Sequence, residues 1–147
     1  MDNLPKRKNL PHDVPPWVSD GAIYFIPIYT RPRGTNQLCS PEVATWIRES
    51  MDFRETRGDW WMHLAVLMPD HLHALLTFAR ERGMHRSITQ WKRYVAREIK
   101  IEWQADYFEH RLRNDESLIE KAHYIRMNPV RAGLASTPEE WPYVWSK

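Results

Sequence analysis

The chain has 147 residues, 42% of them hydrophobic and 27% charged, which suits one domain with its own core and the ordinary globular class. A formal net charge of +2 does not by itself announce a nucleic-acid binder, and a single cysteine, Cys39, excludes an intrachain disulfide framework. No run approaches the roughly 18 apolar residues of a membrane span, and the first residues lack the apolar centre of a secretory signal, so a cytoplasmic protein is expected.

Residues 1–19 hold four of the eleven prolines and the basic triplet Lys6-Arg7-Lys8. A flexible arm is expected there, with residues 20–147 as one domain. GAIYFIPIYT (21–30) is rich in β-branched and aromatic residues and is followed by the turn-like RPRG, so it is predicted as a strand. Pro27 inside it points to an edge or a bulge. Ser40-Pro41-Glu42 supplies an N-cap and a proline at the first helical position for the amphipathic run VATWIRESMDF, which Gly58 punctuates. WWMHLAVLM (60–68) and HLHALLTF (71–78) are strand-like on either side of Pro69-Asp70, which predicts a hairpin.

From Ser87, Ile88, Trp91, Val95 and Ile99 recur at helical spacing through SITQWKRYVAREIKIEW. The stretch 106–114 fits either a continuation of that helix or a short strand. Asn114-Asp115-Glu116 then opens a further helix, with acidic residues where the helix dipole favours them, and Pro129 is expected to end it. The resulting order predicts an α+β, ferredoxin-like antiparallel sheet with helices packed mainly on one face.

Two constellations stand out. In MPDHLHALL (68–76), strand alternation sends His71 and His73 to one side and Leu72 to the other. Two imidazoles facing one way are half of a metal site, while a protein with seven histidines also meets an H-x-H by coincidence. Downstream, in AHYIRMNPVRAGL, Tyr124 and Asn128 are four residues apart and share a helical face. A phenol can be a covalent nucleophile and an amide oxygen can ligate a hard cation. Taken in isolation, the simpler reading is a packing tyrosine and a helix-ending asparagine.

MPDHLHALL, WQADYFEHRLRN and YIRMNPVRAGL, in that order, resemble the REP-associated tyrosine transposase family of HUH single-strand transposases over about residues 21–145. Pro27 departs from the unbroken first strand usual there. The resemblance implies that His71, His73 and Asn128 hold a divalent ion, Mg²⁺ or Mn²⁺, beside Tyr124 as nucleophile. It further implies an endonuclease and strand transferase acting on single-stranded or hairpin DNA through a 5′-phosphotyrosine. A phenol with a pKa near 10 is mostly protonated at neutral pH and needs help from the metal or a base; His63 and His123 read as structural or exposed instead.

Arg31, Arg33, Lys92, Arg93, Arg97, Lys100, Arg111, Arg126 and Arg131 are the candidate DNA contacts, joined by Arg113, with Trp91, Trp103 or Tyr94 as faces for base stacking. For Lys92 to Lys100 a solvated helix face is the competing reading, and for Trp91 a place in the core. No membrane partner is expected, and a monomer and a homodimer both remain open. Three rivals differ in class. One is a non-catalytic ferredoxin-like module that binds single-stranded nucleic acid. Another is a zinc-structured protein using His63, His71 and His73. A histidine-triad hydrolase is disfavoured because position 75 is Leu.

Overall fold

The computed structural model describes residues 15–147 except 82 and 114, so most of the expected arm lies outside the described residues. The last part of that arm is a short helix, α1 (Pro16–Asp20). β1 (Tyr24–Tyr29) follows, then α2 (Pro41–Thr56), β2 (Trp60–Met68), β3 (His71–Phe78) and α3 (Met84–Ile99). β4 (His110–Arg111), α4 (Asp115–Arg126), α5 (Asn128–Arg131), a 3₁₀ turn (Pro138–Glu140) and β5 (Val144–Ser146) complete the chain.

The sheet order is β4-β1-β3-β2-β5, antiparallel throughout. Its first four strands have the ferredoxin-like arrangement, and β5 adds an edge that the sequence reading lacked. The β2–β3 hairpin has the predicted bounds, with Met68 paired to His71 across Pro69-Asp70 and Leu67 paired to Leu72. A register shift between Met62 and Leu64 exchanges the faces of β2, so Trp60 and Met62 share a core with Ala65 and Leu67 beyond it.

Pro27 sits in a strand that is interior in the sheet order, yet it has a local edge. Its neighbour β4 pairs only with Tyr24 and Phe25, and residues of the same parity turn away from β3. The carbonyl of Tyr29 accepts from Gln104 and the N–H of Arg31 donates to Glu102. The missing Pro27 N–H therefore faces a gap in the ladder and costs no bond.

The Ser40 hydroxyl accepts from the Val43 N–H at 3.2 Å, so α2 starts at the predicted cap. α3 begins one turn early, at Met84, and stops at Lys100, whose φ of 58° is left-handed. Trp103 then folds back, its indole N–H donating to the Lys92 carbonyl at 3.1 Å. Of the two readings of 106–114, the short strand is the one found, as β4 (His110–Arg111) pairs with Phe25 and Tyr24 of β1.

Two cores result. Ile26, Ile28, Ile47, Met51, Trp60, Leu72, Leu76, Ile88, Trp91 and Val95 lie between the sheet and α2–α3. On the other face a smaller cluster, Leu64, Val66, Met68, Leu75, Leu112 and Ile125, lies beneath α4 with Leu118 and Ala122 against it. Two long helices thus share a face as expected, and the third takes the opposite one, because the alternate positions of β2 and β3 are also apolar and need cover.

Candidate metal and nucleophile site

His71 and His73 project from the start of β3 toward the α4 side, while Leu72 between them is 1% exposed in the larger core. The predicted alternation therefore holds. α4 packs Ile125 under the sheet and delivers Asn128 at the head of α5. The helical path breaks only at Met127, whose dihedrals remain helical, with its N–H donating to His123.

The Asn128 amide nitrogen stands 3.3 Å from His71 Nε2 and 3.0 Å from His73 Nδ1. Three side chains predicted as one ligand set, 55 and 57 residues apart, thus meet within one chain. A 180° turn of the amide would present Oδ1 in place of Nδ2.

Electrostatics suit a ligand role for the imidazoles. Burial lowers the His73 pKa to about 3, with the positive charges of Arg131 and Lys121 acting in the same direction. Burial also lowers that of His71, against the opposing pull of Asp70. Both rings are neutral at pH 7, the form that binds metal. His71 Nδ1 is 2.8 Å from the Asp70 carboxylate, so Nδ1–H donates there and Nε2 offers its lone pair toward Asn128. Asp70 is held far below the usual carboxylate range, burial being outweighed by hydrogen bonds from Arg33, His71 and Gly34. Two neutral imidazole nitrogens, one carboxamide and a nearby carboxylate fit a divalent cation. Among the described residues no group of three His, Cys, Asp or Glu side chains could hold one, so a third donor beside the two imidazoles would have to be Asn128. His63, which the zinc-structured reading would use, bonds the Thr77 hydroxyl at 2.8 Å.

Tyr124 is 49% exposed. The Arg131 guanidinium lies 4.1 Å from its ring centroid and donates to its carbonyl at 2.7 Å. Lys121 Nζ stands 5.1 Å from the same ring and 4.7 Å from that of Phe25. Phe25 meets His73 edge-on at 5.2 Å. Lys121 and Arg131, the two cations at the Tyr124 ring, are thus also among the charges that lower the His73 pKa.

The remaining candidate contacts divide. Arg33 belongs to the site through its 2.8 Å bond to Asp70, and Arg31 nearby pairs with Glu102 at 2.9 Å. Arg126 lines a hollow of about 240 Å³ with Glu139 and Trp141, and exposed Arg111 is on edge strand β4. Lys92, Arg93 and Arg97 ride on α3 and Lys100 follows its last residue, in the layer across the sheet from the histidines. There Lys92 donates to the Gln104 and Ala105 carbonyls, Arg97 pairs with Glu98 and Lys100 donates to the Arg97 carbonyl. They do not gather around Tyr124. Trp91 and Trp103 are 1% and 8% exposed, so neither offers a face to a base, and Tyr94 stacks on Trp46. The sequence reading missed Lys121, three residues before Tyr124 on the same helix, and the role of Asp70 beyond its turn.

No family model matches the chain. A putative REP-associated tyrosine transposase of Haemophilus influenzae is 28% identical over 144 residues, covering 84% of this chain and 78% of the relative. The REP-associated tyrosine transposase of Escherichia coli is 28% identical over 86 residues, covering 53% of this chain and 49% of that protein. Among solved structures, a REP-associated tyrosine transposase bound to a REP hairpin superposes with a TM-score of 0.75 at 21% identity, covering 84% of this chain and 76% of that one. A putative transposase from Deinococcus radiodurans gives 0.53 at 18% identity, covering 70% and 87%. By sequence and by fold, the chain is similar to the REP-associated tyrosine transposases.

Proposed function

We propose that the protein is a transposase that nicks and rejoins hairpin-forming single-stranded DNA through Tyr124, with a divalent ion held by His71, His73 and Asn128. The observation that carries this reading is the meeting of Asn128 with both imidazoles at 3.0 and 3.3 Å, with Tyr124 one helical turn earlier. The DNA class is supported by the REP hairpin bound to the structural relative.

In this reading the Tyr124 phenol oxygen attacks the scissile phosphorus. The bond from phosphorus to the 3′-oxygen breaks, and the leaving oxygen gains a proton to become a free 3′-hydroxyl. The 5′-phosphate stays on Tyr124 as a phosphodiester. In the second half, a 3′-hydroxyl attacks that phosphorus and the phenol leaves, so the bond count is unchanged and no nucleotide cofactor is consumed. A bound Mg²⁺ or Mn²⁺ would polarise a non-bridging phosphate oxygen and offset developing charge. Lys121 and Arg131 supply fixed positive charge at the nucleophile, and neutral His71 and His73 keep their lone pairs available.

The test is incubation with a single-stranded oligonucleotide carrying a hairpin, with Mg²⁺ or Mn²⁺, read as an adduct that survives SDS. Wild type is expected to form it, and Tyr124→Phe and EDTA each to abolish it. Cleavage by Tyr124→Phe would show a different nucleophile. Binding of the hairpin with no adduct under any condition would make the chain a non-catalytic nucleic-acid module.

A further inference from the structure

The residues that follow β1 grip the turn of the histidine hairpin. The N–H and hydroxyl of Thr30 donate to the Asp70 carbonyl at 2.9 and 3.0 Å. Arg33 Nε and the Gly34 N–H both donate to Asp70 Oδ2 at 2.8 Å. Gly34 has a φ of +85°, a backbone that only glycine adopts without cost. The other carboxylate oxygen, Oδ1, takes the Nδ1–H of His71 at 2.8 Å. The contacts then close on themselves, because His71 stacks on Tyr29 at 4.9 Å and Arg33 lies 4.2 Å over the Tyr29 ring.

Each member of this ring has one function toward the next. A carboxylate beside an imidazole N–H selects which ring nitrogen carries the proton and fixes the plane of the ring. A carboxylate whose second oxygen is already bound by a guanidinium and a backbone N–H cannot swing away to solvent, and the Asp70 side chain is only 13% exposed. The guanidinium is in turn fixed from its flat side by Tyr29. Arg33 was expected to contact DNA phosphate, yet its Nε is committed to Asp70 and its guanidinium lies over the Tyr29 ring.

We infer that Asp70 and Arg33 are positioning residues that hold His71 as the Nδ1–H tautomer with Nε2 aimed at Asn128. The inference rests on the reading of His71, His73 and Asn128 as a metal site. It assigns Arg33 to the site rather than to DNA contact, and it ties metal affinity to the loop after β1. That loop lies far from α5 in sequence.

Nitrogen-resolved NMR of the histidines in the metal-free protein tests it, beside Mn²⁺ titration of the same samples. Wild-type His71 is expected as the Nδ1–H form. Asp70→Asn is expected to mix in the Nε2–H form and to weaken Mn²⁺ binding about 10–100-fold. Arg33→Met should do the same to a smaller degree, with Arg33→Lys intermediate because it keeps charge without the planar fork. Arg33 is half exposed, so its variants remain informative if Asp70→Asn folds poorly. An unchanged His71 tautomer with wild-type Mn²⁺ affinity in Arg33→Met and Asp70→Asn overturns the inference. Failure of wild type itself to bind Mn²⁺ would overturn the metal reading instead, and the tautomers would then decide the positioning role alone.

Discussion

The two faces of the sheet differ in how their side chains are spent. Under α2 and α3 lies a broad apolar layer built around Trp60, Trp91 and Trp103, with Trp60 and Trp91 edge-to-face at 6.1 Å. The indole N–H groups buried there are satisfied, that of Trp91 by the Ser50 hydroxyl at 3.0 Å and that of Trp60 by the Met51 carbonyl at 3.3 Å. Under α4 the apolar cluster is smaller, and at the Tyr29 end of the sheet it gives way to His71, His73 and Asn128. One face carries the stability and the other can afford polar, partly exposed groups because the first holds the sheet. Changes on the two faces should therefore separate activity from stability.

The largest separation is expected from Tyr124→Phe. Loss of the phenol oxygen should cut adduct formation by at least about a thousandfold, while the melting temperature stays near that of wild type because the ring is half exposed. The converse is Trp91→Ala. It removes a fully buried indole and should cost about 3–5 kcal/mol in urea unfolding. The folded fraction should still form adduct at the wild-type rate. A large activity loss per folded molecule would show that the two faces are coupled.

His63 offers a milder break, driven by pH. Burial, then the charge of Lys147, lowers its pKa to about 4, and Lys147 is itself paired with Glu55. The unfolded chain takes up a proton near pH 6.5 while the folded chain resists until about 4. Its contribution is thus complete above pH 6.5 and is lost as pH falls toward 4. Metal-free wild type should lose roughly 1–3 kcal/mol more than His63→Gln between pH 7.5 and 4.5. Equal losses in the two proteins would remove His63 as a source of acid sensitivity, leaving buried His73 to account for it.

What could be read in advance followed local physics. Period-2 alternation placed His71 and His73 opposite Leu72, and the Ser40-Pro41 cap and the Pro69-Asp70 turn set element boundaries. The joining of Tyr124 and Asn128 to the histidines came from resemblance, since four-residue spacing alone is met by any packed helix. Contacts across long separations were invisible. Arg33 to Asp70 spans 37 residues, and β5 pairs with a strand far back in the chain. Residue type also misled, because tryptophan serves equally as core and as a stacking face, and only burial distinguishes Trp91 and Trp103. Similarly, a run of arginine and lysine on α3 does not reveal across which face of the sheet it will lie.

Lys121 gives the smallest and most local test. Its ammonium lies over the Phe25 ring and faces the Tyr124 ring, and its charge also acts on His73. Methionine keeps the stem and removes the charge, so Lys121→Met should leave stability within about 0.5 kcal/mol of wild type. If the ammonium meets a phosphate at the nucleophile, the rate of adduct formation should fall about tenfold. Hairpin binding, measured in the Tyr124→Phe background, should then lose about one unit of its salt slope. Lys121→Arg should restore most of both. An unchanged salt slope with a reduced rate would place the charge on the phenol and not on the DNA backbone. An unchanged rate would leave Arg131 as the cation that serves Tyr124, and Arg131→Met would then be expected to show the full effect.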